Sequence, residues 1–344
     1  MNVEEVARLA KVSKATVSRV LNNRPGVSAE KYNRVREVLA QSDSLPRPRA
    51  SRSSASLTGN IGVLIVTNDA FTGFSAAFNA GLRGVRRALA AQDLNMVLGQ
   101  AGRGLFLPPL VADGKVDGLI LAGHDLSPEL KCRLRRCPMV WLTSHREEGS
   151  RGDVALVGND AVGKMAAEYL VGKGCGHLAF MDLFSGSPSL KARHEMFAFV
   201  AHRNGVECTE LKGGFDYGDT GGVGEVAAWE TMGELIASQI REMVGMEKRP
   251  DGLVIPVGEF AGLAYRLLRE NGLEPGRDIE VVVCGVDIPV LSGLVPRPAV
   301  IDLNSEATGR RAVEQLLWRI RNPAENSGAT VLVEPRLIPG DNGP

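Results

Sequence analysis

From residue 61 onward, short apolar runs alternate with stretches of helical spacing, and this alternation constrains the fold more than any other feature of the chain. Apolar runs of strand length fall at 61–66, 95–99, 118–121, 139–142, 154–157, 177–181, 252–255 and 280–284. Helical patterns lie at 76–92, 161–172, 190–204, 226–244, 260–271 and 305–321. Continuous apolar strands separated by helices are strands buried on both faces, which implies parallel sheets covered by crossover helices. Ligands of such folds bind beyond the carboxyl ends of the strands. A length of 344 residues, at roughly 100–200 per domain, allows two or three domains.

The first 60 residues do not share this pattern, and charge separates them from the rest. The chain holds 40 Lys+Arg and 40 Asp+Glu, a formal net charge of zero. Residues 1–60 contain eleven Lys/Arg against five acids, so this head carries +6 and the body −6. A basic head on an acidic body is the asymmetry of a nucleic-acid-binding module joined to something else. Residues 46–59, PRPRASRSSASLTG, are rich in Pro, Ser and Arg and nearly free of large apolar residues. Such a stretch cannot bury enough surface to fold alone and reads as a linker.

The head reads as three short helices. Asn2 and Glu5 fit the capping box of a first helix, followed by Val6, Leu9 and Ala10 at helical spacing. After a break at Lys11-Val12, Ser13 caps a second helix over 14–21. Its Val17, Val20 and Leu21 form an apolar stripe, while Lys14, Ala15, Ser18, Arg19 and Asn22 face away. Pro25-Gly26 marks a turn, and Ser28 caps a third helix with Tyr32, Val35 and Leu39 inward. Three such helices with a three-residue break are a helix-turn-helix, whose second helix enters the major groove. Arg19 has the donors for a bidentate contact to guanine, and Lys14 donates to a guanine edge or a phosphate. Ala15 offers only a methyl, suited to thymine or to no readout. Ser13, Thr16, Ser18, Asn22 and Ser28 carry short polar groups suited to the DNA backbone, which fixes register without reading sequence.

The segment VEEVARLAKVSKATVSRVLNNRPGVSAE resembles the DNA-binding head of the lactose-repressor (LacI/GalR) family of transcription regulators. The resemblance continues through Pro46, Ala50, Thr58 and Ile61-Gly62-Val63 and along the rest of the chain. It puts the base-reading positions on Lys14, Ala15 and Arg19. It also implies a hinge helix in the linker that works in the minor groove, at Arg49, Ala50, Arg52 and Ser53. There the chain departs from the pattern: the intercalating leucine is replaced by Ser53 and the preceding aromatic by Ser44. Serine is no apolar wedge. Pro48 suits the first turn of a hinge helix, and Arg49 and Arg52 suit a narrow minor groove. Less DNA bending than the family norm is expected.

For the body, VDGLILAG at 116–123, GCGHLAFM at 174–181 and GRRAVEQLLWRI at 309–320 match family patterns. The resemblance implies a two-lobed, periplasmic-binding-protein-like effector-binding and dimerisation domain over 61–344, behind a head at 1–45 and a hinge at 46–60. One lobe is expected at 61–159 and 288–318, the other at 160–287 and 319–340. Effector contacts are expected from Phe71, Phe74, Arg193 and Asp287. Two family carboxylates are missing: one position holds Gly258, and the acid-amide pair after the 280–284 strand reads Gly285-Val286.

Rival chemistries fit less well. Residues 158–164, GNDAVGK, match seven positions of a phosphate-binding P-loop, but Met165 replaces the Ser/Thr that ligates Mg²⁺. No nucleophile elbow is present, and His124, His145, His177, His194 and His202 lack metal-ligand spacing. His177, beside a strand, reads as structural. Five cysteines, Cys132, Cys137, Cys175, Cys208 and Cys284, without paired short spacings fit reduced thiols. No metal, cofactor or catalytic residue is expected. A solute-binding protein without a DNA role would use the same body, but not a basic head. Residues 1–11 have no apolar stretch of signal-peptide length and no run approaches the ~20 residues of a membrane span. The expectation is a cytoplasmic, homodimeric, ligand-responsive repressor of a near-palindromic operator, with a sugar or related metabolite as effector and no membrane partner.

Overall fold

The computed structural model describes residues 3–21, 26–40, 57–66, 75–101, 107–123, 126–143, 151–216, 225–285, 291–325 and 327–341. The head folds as α1 (Val3–Leu9), α2 (Lys14–Leu21) and α3 (Ala29–Ala40). Val6, Ala7, Ala10, Val17, Val20 and Val35 form its core. Leu9 is exposed and Ala7 takes its place inside, because positions 6, 7 and 10 share one helical face. The break after α1 has a definite chemistry. Lys11 adopts φ 52°, its N–H donates to Arg8 O at 3.3 Å, and the Val12 N–H donates to Ala7 O at 3.0 Å. This pair of bonds is a Schellman motif, which stops α1 and turns the chain into α2.

The body contains two six-stranded sheets. The first runs β13-β5-β4-β3-β1-β2, with β1 (Asn60–Val66), β2 (Asn95–Ala101), β3 (Gly118–Gly123), β4 (Met139–Leu142), β5 (Asp153–Val157) and β13 (Thr330–Val333). All pairs from β2 through β5 are parallel. The second runs β14-β12-β11-β10-β6-β8, with β6 (His177–Met181), β8 (Glu207–Leu211), β10 (Gly252–Ile255), β11 (Glu280–Cys284), β12 (Ala299–Asp302) and β14 (Arg336–Ile338). Only β14 is antiparallel, against β12. A two-stranded ribbon, β7 (Phe184–Ser185) with β9 (Phe215–Asp216), extends beyond β6 and β8.

The intervening helices are α4 (Ala76–Ala90), α5 (Pro109–Ala112), α6 (Pro128–Leu134), α7 (Asn159–Gly172), α8 (Pro188–Arg203), α9 (Glu225–Val244), α10 (Ala261–Glu270) and α11 (Ser305–Arg321). Every residue of β4, β5, β6 and β10 is buried. Alternate residues of the second sheet feed opposite cores. Met181, Ile255 and Val283 pack with α9 and α10, and Phe180, Val254 and Val282 with α7 and α8. Gly163 lets α7 and α8 meet, since a Cβ there would lie 2.0 Å from Arg193 O. Among the described residues no helix is long and apolar enough to cross a membrane. All five cysteines are free, and burial, with Asp117 nearby, pushes the Cys137 thiol up to about 12.

The chain divides into two compact units, Met1–Asn68 with Val85–Ala155 and Arg310–Val331, and Asp69–Gly84 with Leu156–Gly309 and Leu332–Pro344. This corrects the expected lobe boundaries. Residues 288–318 do not all join the first lobe, because β12 pairs in register with Val282, Val283 and Cys284 of the second sheet. Residues 319–340 do not all join the second, because β13 belongs to the first sheet.

In the first unit, a buried carboxylate ties α11 to the sheet. Asp153, 1% exposed, accepts from Arg319 Nη2 at 2.6 Å, Arg319 Nε at 3.0 Å, Gln315 Nε2 at 2.7 Å and Ala329 N at 2.9 Å. Burial alone would raise its pKa, but these donors outweigh burial and hold the carboxyl below the usual range. A depressed pKa means stability that is present at neutral pH and lost as the group protonates. Asp153→Ala should cost about 3–5 kcal/mol in urea unfolding, because it strands a nearly buried guanidinium. The gap in stability between wild type and Asp153→Asn should be full at pH 7 and shrink below about pH 4.

Candidate functional site

The first candidate surface is the start of α2. Ser13 Oγ accepts the Thr16 N–H at 3.1 Å, satisfying one of the orphan donors of a helix N-terminus. With Val17 and Val20 buried, Lys14, Ala15, Ser18 and Arg19 are all exposed, and Thr16 is half-buried. Residues 14, 15, 18 and 19 therefore share one solvent face of a capped helix. Lys14 pairs with Glu4 of α1, and Lys14 holds the Glu4 carboxyl below its ordinary value. This exposed pair is weak enough to yield to a phosphate or base edge. Gly26, at φ 96°, lies beside Arg19; a Cβ there would be 3.6 Å from Arg19 Nη1. Ser28 is exposed, and its Oγ faces the Lys31 N–H at 3.5 Å, the position of a cap on α3. Asn22, Arg49, Ala50, Arg52 and Ser53 lie outside the described residues.

The second candidate surface lies in the second unit, around Arg193 of α8. This guanidinium is 7% exposed. Its Nε donates to Asn159 Oδ1 at 2.8 Å and its Nη1 to Pro256 O at 2.9 Å. Burial pulls its pKa below the ordinary arginine value, and guanidinium remains charged throughout the physiological range. Asn159 opens α7 directly after β5, and Pro256 follows β10, so Arg193 sits where strands end. Gly258, in place of a family carboxylate, is not an open vacancy. A Cβ there would lie 3.1 Å from Gly285 O and 3.3 Å from Cys284 O. An acid does occur one residue on, but Glu259 Oε1 accepts the Ala76 N–H at the start of α4, 2.6 Å away.

Beyond the same strand ends, Phe184, Trp229 and Phe260 form an aromatic cluster, with ring centroids 5.0 Å apart for Trp229–Phe260 and 6.3 Å for Phe184–Phe260. Asp182 accepts Ser185 Oγ at 2.6 Å beside it. Sequence reasoning found Arg193 but missed Asn159, Glu259 and these aromatics; Phe184 and Phe260 each follow an apolar strand run by only a few residues, a usable signal. Phe71, Phe74 and Asp287 lie outside the described residues.

The rival chemistries lose their geometry. In residues 158–164 the helix starts at Asn159, one residue after β5, leaving no glycine loop to wrap a phosphate. Lys164 is exposed and lies 3.8 Å from Glu168. His177 is buried, with Nδ1 2.8 Å from Lys248 O and Nε2 2.8 Å from Thr209 Oγ1. A carbonyl can only accept, so Nδ1 carries the proton and the ring ties β6 to β8 and the approach to β10. Among the described residues no group of His, Cys, Asp and Glu could hold a metal ion.

Two family models match the chain. Residues 2–46 match the model of bacterial regulatory proteins, lacI family, and residues 167–341 match the periplasmic binding protein-like domain. The chain is 26% identical to the HTH-type transcriptional repressor PurR of Vibrio parahaemolyticus, covering 98% of this chain and 96% of that one. It is 25% identical to the ribose operon repressor of Escherichia coli, covering 93% of each. Among solved structures, a transcriptional regulator CelR–cellobiose complex shares the fold at TM-score 0.67 and 20% identity, covering 100% of both chains. The lac repressor dimer bound to operator and the anti-inducer ONPF shares it at TM-score 0.62 and 20% identity, covering 99% of this chain and 98% of that one. With a lacI-type head followed by a periplasmic binding protein-like body, the chain belongs to the lacI family of bacterial regulatory proteins.

Proposed function

We propose that this chain is a sequence-specific DNA-binding transcriptional regulator, a ligand-responsive repressor that binds a near-palindromic operator as a dimer. The observation that carries this reading is the capped, solvent-facing start of α2, which presents Lys14, Ala15, Ser18 and Arg19 together. Arg19 and Lys14 read base edges and Ala15 shapes the contact at thymine. Ser13, Thr16, Ser18, Asn22 and Ser28 hold the DNA backbone. The two heads of a dimer address two half-sites related by the protein's own two-fold axis. The curated relatives are repressors, and this chain is read as acting by binding rather than by catalysis.

The effector belongs at the carboxyl ends of the second sheet. Arg193, oriented by Asn159 and the Pro256 carbonyl, contributes a charged fork suited to a hydroxyl pair or a carboxylate. Phe71, Phe74 and Asp287 are the further proposed contacts. A sugar or related metabolite fits this set, and the ribose and cellobiose named for relatives are the natural first compounds to test. Effector and operator binding are then two equilibria joined by a coupling free energy.

Arg19→Ala should weaken operator binding by about 1–3 kcal/mol and relax preference at one base pair, as read by titration against single-base operator variants. An equal loss on random-sequence duplex would remove Arg19 as a base reader. Ser53→Leu should increase DNA bending, measured by permuted-fragment mobility or by energy transfer across the site. Unchanged bend and affinity would refute the hinge account. In a thermal-shift screen of sugars, sugar acids and nucleosides, a binding compound at about a hundred times its Kd adds roughly 2.7 kcal/mol of apparent stability. Arg193→Lys should abolish most of that rise, because an ammonium cannot reproduce the planar fork.

A further inference from the structure

Arg193 takes a positive charge into the second unit without a counter-ion. It is 7% exposed, and among the described residues it makes two hydrogen bonds, both to neutral oxygens: Nε to Asn159 Oδ1 and Nη1 to the Pro256 carbonyl. The largely enclosed Arg319 of the first unit, by contrast, meets the Asp153 carboxylate at 2.6 Å. Arg193 has no such partner among the described residues, and its Nη2 donates to none of them. The sealed side-chain atoms without a partner are Arg34 Nε and Gln239 Oε1, so Nη2 is open to solvent.

The surroundings leave that charge standing. Two described groups are near enough to act on it electrostatically, Cys284 and Glu259. Burial pushes the Cys284 thiol up to about 11, so it is uncharged at neutral pH. Glu259 is engaged elsewhere, with Oε1 accepting the Ala76 N–H at 2.6 Å. A side chain at Gly258 would crowd Gly285 O, 3.1 Å from its Cβ, so no acid enters from that position. α7, whose first residue is Asn159, has Gly158 at its N-cap and no side-chain cap. The N–H groups of its first turn add positive potential beside Arg193, and the acid of that turn, Asp160, is exposed.

We propose that the effector is an anion, a small metabolite that presents a carboxylate or a phosphate to Arg193 Nη2, rather than a neutral sugar. The proposal rests on the effector-site reading above and narrows it. Asn159 Oδ1 and Pro256 O, the acceptors at the guanidinium, are already spent on it, and what remains is a donor. A sugar hydroxyl must donate as well as accept, and against donors alone its proton goes unpaired. An ionised carboxylate or phosphate oxygen only accepts, and its bonds to a guanidinium are roughly twice as strong as neutral ones. The ligand then supplies the counter-ion that a buried charge requires.

The test titrates the full-length chain, by calorimetry at neutral pH, with matched sets: ribose, ribonate and a ribose phosphate; glucose, glucuronate and a glucose phosphate; and inorganic phosphate alone. In at least one set the acid or the phosphate should bind at least about tenfold more tightly than its neutral parent, and the two arms tell a carboxylate from a phosphate. Two variants then remove the free charge in different ways. Arg193→Gln deletes it. Asn159→Asp leaves Arg193 in place and sets a carboxylate against its Nε, so anion affinity should fall about tenfold while the unliganded chain melts close to wild type. Anion binding unchanged in Asn159→Asp would overturn the proposal, as would a screen in which only neutral compounds, or none, bind. A neutral parent that binds as tightly as its anion and is weakened by Arg193→Gln would overturn the anion assignment alone and leave the effector site where it is placed. Binding unchanged in both variants would remove the effector-site reading itself.

Discussion

A strand buried on both faces has no side of its own on which to do chemistry. In this body β4, β5, β6 and β10 are buried along their whole length, so functional groups are driven to the strand ends. Parallel pairing needs crossover helices, which cover both faces, and among the parallel strands it puts the carboxyl ends of a sheet on one side and the amino ends on the other. In the second unit the proposed effector site lies at the carboxyl ends, where Arg193 is held by Asn159 and the Pro256 carbonyl. At the amino ends, Asp117 and Asp251 each collect backbone N–H groups of the neighbouring strand start. The head escapes the constraint, because its three-helix core leaves the face of Lys14, Ala15, Ser18 and Arg19 in water.

Each of these places rests on a local polar solution that the apolar cores do not supply. The Schellman turn at Lys11 and the Ser13 cap set where α2 begins, and hence which side chains lie at the helix start. Asp153 collects four hydrogen bonds to bind α11 and the segment before β13 to the sheet. Buried charge of this kind is costly unless every lone pair has a partner, and here Arg319, Gln315 and Ala329 provide them. Gly163 and Gly258 act in the opposite way, by leaving space for backbone to approach backbone.

The three helices of the head and the Ser13 cap were legible, because caps and turns are local chemistry. Ser13 and Lys11-Val12 were readable from sequence for that reason. Leu9 was misplaced because period alone does not say which of two adjacent apolar residues faces in. In the body, buried central strands stood out as apolar runs, while β8 did not: an edge strand with Glu207, Thr209 and Glu210, half-buried or exposed up to its last residue, mimics a loop. The short outer strands β13 and β14 were missed too, as was β12, an interior strand of only four residues, and the lobe boundaries went with them, since those strands decide which sheet each returning segment joins. Arg193 was legible through family resemblance, but its partners were not. Asn159 sat inside a phosphate-loop lookalike, and Pro256 contributes only a carbonyl, which no side-chain pattern reveals.

The central claim is that the exposed face of α2 reads a defined two-fold DNA sequence. Selection of the full-length chain against a randomised duplex library tests it most directly. The account predicts enrichment of one near-palindromic sequence whose half-sites are a fixed distance apart, retained more weakly as salt rises. Retention of DNA without enrichment of any sequence, or no retention at low salt, would contradict it.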